Sequence, residues 1–399
     1  MRGRLLTAVL VAVCALAALI YLAGTSSAPT LSTIEPWEEN MVEETMEIII
    51  EPIPVPSQPS DPFRELAESM TLEEKVGQII LARCPENHGA EAVSQYHLAG
   101  FVLFGRDFDG QTPQSVTRRI ASYQEAAELP LLITVDEEGG TVTRISSYPA
   151  FRSRNFQSPR QLYQQGGMEL VLQTEEEKAQ LLSGLGINVN LAPVCDISTR
   201  SDAFMYQRSL GQSPEIVGQF AAGTVKRLAS WGVGAVLKHF PGYGNNPDTH
   251  VGIAVDSRDL EELETADLRP FYDGIQAGCG AVLVSHTIVE AIDPQYPASL
   301  SPALHRYLRL TMDFDGVIMT DDLSMEAITQ QYGAGEAAVL AVLAGNDLLC
   351  STEYEVQYNA VLDACRQGRI PEETLTQAVC HVLSWKESIG LTLPGCPVG

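Results

Sequence analysis

Short apolar runs alternate with longer amphipathic stretches along most of this chain. Eight such runs cover residues 77–83, 100–104, 131–135, 187–193, 235–237, 280–285, 316–320 and 346–350. Successive positions in these runs are apolar, which is typical of strands buried on both faces of a parallel sheet. The alternation of strand and helix patterns therefore predicts an α/β fold.

The stretches between the runs have apolar residues at helical spacing. They predict helices over residues 112–129, 169–185, 213–231, 257–277, 301–312, 335–344, 355–367 and 371–388. The segment Thr71-Leu72-Glu73-Glu74 predicts a capping box at the start of another helix. Eight strand–helix units in about 300 residues fit a single (β/α)8 TIM barrel. An open doubly wound sheet is the alternative, but no strand is followed by a GxGxxG turn.

The first 60 residues differ in composition from the rest of the chain. Residues 1–24 start with a short basic segment and continue as an apolar run, which predicts an uncleaved membrane anchor with its basic end inside. A cleaved signal peptide is the alternative. Residues 25–60 are rich in Pro, Ser and Glu and predict a disordered linker. Both alternatives place the barrel domain, residues 61–392, outside the cytoplasm, either anchored to the cell membrane or secreted.

The net charge of the chain and the spacing of its cysteines indicate which partners and metal sites to expect. The formal net charge of -26 would repel phosphate backbones, so we expect no nucleic-acid partner. Contact with a membrane is expected only through the N-terminal helix, and we expect a monomer. None of the eight cysteines has CxxC or zinc-type spacing, so the sequence predicts no metal centre. A disulfide among Cys365, Cys380 and Cys396 stays open.

Polar residues follow the third to the seventh predicted strands, and in a barrel the carboxyl ends of the strands meet at one face. These residues are Asp136, Arg144, Asp196, Arg208, Lys238, His239, Asp248, His250, His286, Asp321 and Asp322. The motifs HExxH and GxSxG and a P-loop are absent, which argues against zinc-protease, α/β-hydrolase and nucleotide chemistry. Carboxylates mixed with Arg and Lys suit a hydroxyl-rich ligand, because they form charge-assisted hydrogen bonds.

Glycoside hydrolysis needs a proton donor and a carboxylate on either side of the scissile bond. Asp321 follows a strand and is the candidate nucleophile, although it or Asp322 would also suit a helix N-cap. Asp248 and His250 lie two residues apart on a glycine-bent loop. A neighbouring carboxylate stabilises an imidazolium and orients its ring, so this pair suits a proton donor. The alternative is a polar surface turn.

Five segments together carry a family resemblance over about residues 66–386. They are VDEEGGTVTR (135–144), LAPVCDI (191–197), QRSLG (207–211), KHFPGYGNNPDTH (238–250) and GVIMTDDLSM (316–325). The chain resembles the β-N-acetylglucosaminidase branch of glycoside hydrolase family 3. Tyr243 is a departure, since this position of the KHFPG motif is often a second histidine in the family.

The resemblance implies a role for each motif residue. It implies that Asp321 is the nucleophile and that His250, assisted by Asp248, is the acid/base. The sugar-binding residues that it implies are Asp136, Arg144, Arg208, Lys238 and His239. The implied reaction retains configuration through a covalent glycosyl–aspartate and needs no cofactor. The implied substrates are terminal β-linked N-acetylglucosamine residues, often in peptidoglycan fragments.

Three functions stay open from the sequence. The first is a retaining exo-β-N-acetylglucosaminidase. The second is a phosphorylase on the same scaffold, acting on β-N-acetylglucosaminides or β-glucosides, because a histidine acid/base would not repel an incoming phosphate as a carboxylate would. The third is a non-catalytic protein that binds cell-wall glycans. The presence of Asp321, Asp248 and His250 argues against the third, since binding alone does not require all three.

Overall fold

The computed structural model describes residues 61–246, 252 and 254–396. The predicted anchor, 1–24, and the predicted linker, 25–60, lie outside the described residues, as do Asp248 and His250. None of the helices in the described part combines the length and the apolar character needed to cross a bilayer.

Eight parallel strands form the central sheet, each hydrogen-bonded to the next in chain order. They are β1 (Ile80–Arg83), β2 (Gly100–Leu103), β3 (Leu132–Val135), β4 (Val189–Asn190), β5 (Gly234–Phe240), β6 (Ala281–Val284), β7 (Val317–Thr320) and β8 (Leu349–Ser351). Strand β8 pairs with β1, and a single parallel bridge between Met319 and Leu348 brings β7 to the start of β8. The result is a nearly closed barrel, which confirms the predicted (β/α)8 architecture.

Both faces of the strands are buried, which explains why their sequences do not alternate. Leu81 and Val236 belong to one apolar cluster, made mostly of strand residues. Their chain neighbours Ile80 and Leu237 belong to the larger cluster that includes the helices. Gly274 shows how closely the helices approach, because a Cβ there would lie 2.6 Å from the Leu237 side chain.

The α-helices are Pro62–Ser69, Leu72–Gln78, Gly89–Tyr96, Pro113–Ala126, Pro159–Leu185, Pro214–Ala229, Leu260–Thr265, Leu268–Gln276, Pro302–Arg306, Glu326–Tyr332, Ala334–Ala344, Tyr354–Arg366 and Glu372–Ser388. The capping box is confirmed. Thr71 Oγ1 accepts from the Glu74 amide at 3.2 Å, and the Glu74 carboxylate accepts from the Thr71 amide at 2.6 Å. A short parallel ladder, Val255–Asp256 with Ile288–Val289, lies outside the barrel sheet.

The structure corrects one predicted helix and adds a helical segment before another. The helix predicted over 257–277 is two helices, Leu260–Thr265 and Leu268–Gln276. Pro270 explains the break, because its ring would clash with the carbonyl of residue 266 in a continuous helix. The helix predicted over 169–185 is present. Non-helical backbone angles at Gly166 and Gly167 separate it from a preceding helical segment that starts at Pro159 and was not predicted.

The C-terminal cysteines are not paired. Cys365, Cys380 and Cys396 are free thiols in the described part of the chain, where no disulfide joins them.

Candidate active site

A cavity of about 720 Å³ opens at the carboxyl ends of the barrel strands. Six of the eight predicted site residues line it, namely Asp136, Arg144, Arg208, Lys238, His239 and Asp321. They come from four different strand ends, as the barrel prediction requires. The two remaining predicted residues, Asp248 and His250, lie outside the described residues, and their roles stay predictions.

Asp321 directly follows β7, at the rim of this cavity. Its backbone N–H donates to the Val284 carbonyl at 3.0 Å, which continues the β6–β7 ladder and fixes the start of the loop. Its Oδ1 accepts from the Asp322 amide at 2.9 Å. The carboxylate is half-buried and lies beside the space that a ligand would fill.

Asp322 has a different, structural environment. Its Oδ1 accepts from the Ser324 and Thr352 amides at 3.0 and 3.2 Å, and its Oδ2 accepts from the Thr352 hydroxyl. The buried His286 donates through Nε2 to the Asp322 carbonyl at 3.0 Å. The next helix starts at Glu326 with Met325 as its N-cap, so the alternative that an aspartate of this pair caps a helix is wrong.

Two basic side chains share one buried carboxylate at the floor of the cavity. Lys238 Nζ lies 2.6 Å from Asp136 Oδ1 and 2.7 Å from Glu138 Oε1. Arg208 donates to both Glu138 oxygens, at 2.9 and 2.7 Å. Arg144 Nη2 is 3.6 Å from Asp136 Oδ2. The paired charges give the cavity a fixed set of donors and acceptors.

The charges in this network hold one another in the ionised state. Burial alone would raise the pKa of the Glu138 carboxyl, but the charges of Lys238 and Arg208 hold it well below its usual range. Burial alone would lower the pKa of the Lys238 amine, but Asp136 and Glu138 hold it above its ordinary value. Glu138 and Lys238 therefore stay oppositely charged across the neutral pH range.

His239 is oriented from below by Asp196, which is fully buried. Asp196 Oδ2 lies 2.7 Å from His239 Nδ1 and accepts from the His239 amide at 3.2 Å. On the other side of the ring, Arg208 Nη2 lies 3.1 Å from His239 Nε2. A guanidinium only donates, so Nε2 is the acceptor and Nδ1 carries the proton that Asp196 accepts. Both ring nitrogens of His239 are therefore engaged, and the ring orientation is fixed.

Asp196 also fixes the start of the loop after β5. Its Oδ1 accepts from the Tyr243 amide at 2.7 Å. The Tyr243 ring is buried and packs edge-on against His239 and Phe204, with centroid separations of 5.4 and 6.0 Å. Further along, Asn245 Oδ1 accepts from the Thr199 amide at 3.0 Å. The first part of this loop is thus well anchored.

Sequence reasoning assigned no role to three residues that shape this site. Glu138 and Asp196 hold the ligand-facing side chains, and Arg83 lines the cavity with its guanidinium carbon 4.5 Å from the Phe104 ring centroid. The sequence contains an indication of each residue. Glu138 is a second glutamate in the DEEGG segment, Asp196 follows the fourth strand, and Arg83 ends the first apolar run. The partners of these residues, however, lie on other strands.

A second group of acidic and histidine side chains precedes β2 and β3. Among the described residues, Glu74, His97 and Glu128 bring possible metal-ligand atoms within 4.8 Å of one another. They line a smaller cavity of about 370 Å³. The Glu74 carboxylate already accepts hydrogen bonds from Thr71, and the Glu128 side chain is 71% exposed.

Comparison with known proteins gives consistent similarities. Residues 71–385 match the family model described as the glycosyl hydrolase family 3 N terminal domain. The beta-hexosaminidase LpqI of Mycobacterium tuberculosis is 32% identical over 363 residues, which cover 86% of this chain and 89% of that protein. A beta-hexosaminidase of Stenotrophomonas maltophilia is 37% identical over 268 residues, which cover 64% and 77% of the two proteins.

Solved structures agree with this result. A glycoside hydrolase family 3 beta-N-acetylglucosaminidase from Paenibacillus sp. superposes with a TM-score of 0.75 at 32% identity, covering 82% of this chain and 65% of that chain. The structure of LpqI from Mycobacterium tuberculosis superposes with a TM-score of 0.74 at 29% identity, covering 84% and 98%.

Proposed function

The chain belongs to glycosyl hydrolase family 3 and is a β-N-acetylhexosaminidase, and on that premise we propose that it removes terminal β-linked N-acetylglucosamine with retention of configuration. One observation carries the proposal: Asp321 lies at a strand end, in the same cavity as the paired charges of Asp136, Arg208 and Lys238. The names of the relatives support the sugar, and the position of the carboxylate supports the mechanism.

In the first step, the Asp321 carboxylate attacks the anomeric carbon and forms a covalent glycosyl ester. The bond to the leaving oxygen breaks, and His250 donates a proton to that oxygen. In the second step, His250 takes a proton from water, and the water oxygen attacks the anomeric carbon and releases Asp321. Asp248 assists by stabilising the imidazolium form of His250 and orienting its ring.

The sugar is bound in this proposal by Asp136, Arg144, Arg208, Lys238 and His239. The buried ion pairs among them support the assignment, because a network that is already paired needs little reorganisation when a ligand binds. Arg208 is fixed by two hydrogen bonds to Glu138, and its Nη2 also donates to His239.

Substrate source and location complete the proposal. We propose that the enzyme acts on peptidoglycan fragments or related aminosugar glycans outside the cytoplasm. The apolar run in residues 1–24 and the Pro-, Ser- and Glu-rich segment after it support a tethered or secreted enzyme.

Side-by-side assays test the proposed reaction. Purified enzyme is given 4-nitrophenyl β-N-acetylglucosaminide and 4-nitrophenyl β-glucoside, each with and without inorganic phosphate. We expect preferential release of free N-acetylglucosamine, independent of phosphate, with the β-anomer appearing first by NMR. A phosphate requirement with a sugar 1-phosphate product would establish the phosphorylase, and no turnover of either substrate would support a binding protein.

Replacing Asp196 by asparagine tests how the sugar site is held. Both Asp196 oxygens accept N–H donors, so the amide NH2 of asparagine would face either the His239 donors or the Tyr243 amide. We expect kcat/KM for the aryl N-acetylglucosaminide to fall about 10- to 100-fold, since a buried donor loses its acceptor. Asp363→Asn is the surface control, because its side chain is 65% exposed. Unchanged kcat/KM in Asp196→Asn would contradict the assignment.

A further inference from the structure

A buried cluster of one arginine and two aspartates lies where the loop after β5 returns to the fold. Arg258 donates to both oxygens of Asp256, with Nε–Oδ1 at 3.0 Å and Nη2–Oδ2 at 2.6 Å. Its Nη1 donates to Asp267 Oδ2 at 2.5 Å. The side chains of both aspartates are only 1% exposed, against 22% for Arg258. Two buried carboxylates therefore share one guanidinium.

The same cluster contacts the outgoing limb of the loop, residues 241–246. A Cβ on Gly244 would lie 2.8 Å from Arg258 Nη2, and a Cβ on Gly242 would lie 2.7 Å from Asp267 Oδ1. Both glycines also have positive φ angles, 115° at Gly242 and 53° at Gly244. The two limbs, 241–246 and 254–258, are thus packed together through the Arg258 guanidinium and the Asp267 carboxylate.

Each limb is also tied to the barrel independently. The outgoing limb is held by Asp196 through the Tyr243 amide. The returning limb is held by the Val255–Asp256 ladder, in which the Asp256 carbonyl accepts from the Glu290 amide at 3.0 Å. The Arg258 side chain connects the outgoing limb with the returning limb. The chain between the limbs contains Asp248 and His250.

The charges around Asp267 make the arginine necessary. Burial raises the pKa of the Asp267 carboxyl to about 6, although Arg258 lowers it, and the negative charges of Asp196 and Asp256 add to the rise. Asp267 Oδ1 is buried without a hydrogen-bond partner among the described residues. Without the guanidinium, three buried carboxylates would repel one another at the base of the loop.

We propose that Arg258 is a positioning residue for the proton donor. By binding Asp256 and Asp267 it holds the two limbs of the loop together, and this sets where His250 meets the leaving oxygen. The inference rests on the proposed function, in which His250 is the acid/base. A lysine at this position cannot replace the arginine, because a single ammonium cannot bind one carboxylate with two parallel bonds and reach a second.

The test compares Arg258→Lys with the unmodified enzyme on aryl N-acetylglucosaminides whose phenols differ in acidity. The parameter is kcat/KM, which reports only steps up to departure of the aglycone. For the phenyl glycoside, which needs protonation, we expect a loss of about 10- to 100-fold, the scale of a misplaced catalytic group. For the 2,4-dinitrophenyl glycoside, which departs without protonation, we expect kcat/KM within about threefold of the unmodified enzyme.

Arg309→Lys is the matched control. Arg309 is 20% exposed and donates to the buried Asp347 at 2.5 Å, so the substitution breaks a comparable ion pair. Asp347 lies two residues before the start of β8, at the amino end of this strand, whereas the loop after β5 follows a carboxyl strand end. We expect Arg309→Lys to lower the melting temperature without changing the dependence of kcat/KM on leaving-group acidity. The same dependence in both variants would overturn the proposal.

A second variant covers the case in which Arg258→Lys does not fold. Asp256→Asn keeps the side-chain shape and removes one charge, and we expect it to show the same leaving-group dependence. His250→Ala serves as the reference for that dependence. If His250→Ala shows it and neither cluster variant does, the positioning role is wrong while the proposed function stands. If His250→Ala does not show it, the acid/base assignment itself fails.

Discussion

Asp321→Ala is expected to abolish hydrolysis of N-acetylglucosaminides while the barrel stays folded. Without the carboxylate no glycosyl ester forms, and loss of a nucleophile of this kind lowers kcat by about 10⁴-fold or more. Stability should change little. The Asp321 carboxylate accepts a hydrogen bond from the adjacent Asp322 amide, and such a bond contributes about 1 kcal/mol.

Chemical rescue makes this test specific. The alanine variant leaves room beside the anomeric carbon, so added azide should attack there when the substrate carries a 2,4-dinitrophenyl group. The expected product is the α-glycosyl azide, whose configuration is opposite to that of the substrate because a single displacement has occurred. NMR of the product, with circular dichroism of the variant, measures both the chemistry and the fold.

Asp322→Asn is the control that the chain offers next to Asp321. Asparagine keeps Oδ1 as the acceptor for the Ser324 and Thr352 amides, and its NH2 group can donate to the Thr352 hydroxyl. We expect this variant to stay within about tenfold of the unmodified kcat/KM. Ordinary turnover by Asp321→Ala, or a larger loss in Asp322→Asn than in Asp321→Ala, would refute the assignment of the nucleophile.

The barrel was predictable because its strands are short, apolar on both faces and regularly spaced. Each of the eight predicted runs overlaps an observed strand, including β5, which extends from Gly234 to Phe240. The predictions failed where a single residue overrides the apolar pattern. Pro270 divides one helix, and the helical segment between Pro159 and the Gly166-Gly167 kink was not predicted.

The site was predictable only to the extent that residues lie at strand ends. The structure brings Asp136, Lys238 and Asp321 into one cavity, as strand-end positions in a barrel require. The residues that hold them were not predictable. Asp196 is 43 residues from His239 in sequence, and Glu138 is 70 residues from Arg208, and these contacts depend on which strands are neighbours.

The two histidines of the KHFPG…DTH segment have different physical settings. His239 has both ring nitrogens engaged, one by Asp196 and one by Arg208, so its ring is fixed. A ring held in this way is suited to binding and not to proton transfer. The acid/base role is therefore better matched to His250, which the sequence places beyond the glycine bends and beside Asp248.

His250→Ala is expected to impair hydrolysis in proportion to how much the leaving group needs a proton. For the phenyl N-acetylglucosaminide we expect kcat/KM to fall by about 10² to 10⁴-fold, the range for loss of a general acid. For the 2,4-dinitrophenyl substrate we expect kcat/KM to change little, because its phenolate departs unaided. His97→Ala is the control, since His97 precedes β2 and does not line the active-site cavity.

Asp248→Asn tests the same acid/base assignment through the pH dependence of kcat/KM. A nearby carboxylate raises the pKa of an imidazolium, and the protonated ring is the active form in the first step. Removing the charge should therefore move the basic limb of the kcat/KM profile to lower pH by about one unit, with a smaller loss at acidic pH. The measurement is kcat/KM for the phenyl substrate between about pH 5 and about pH 9, since this range brackets the pKa of an imidazole. An equal loss for all leaving groups in His250→Ala, or a basic limb that does not move in Asp248→Asn, would show that another group delivers the proton.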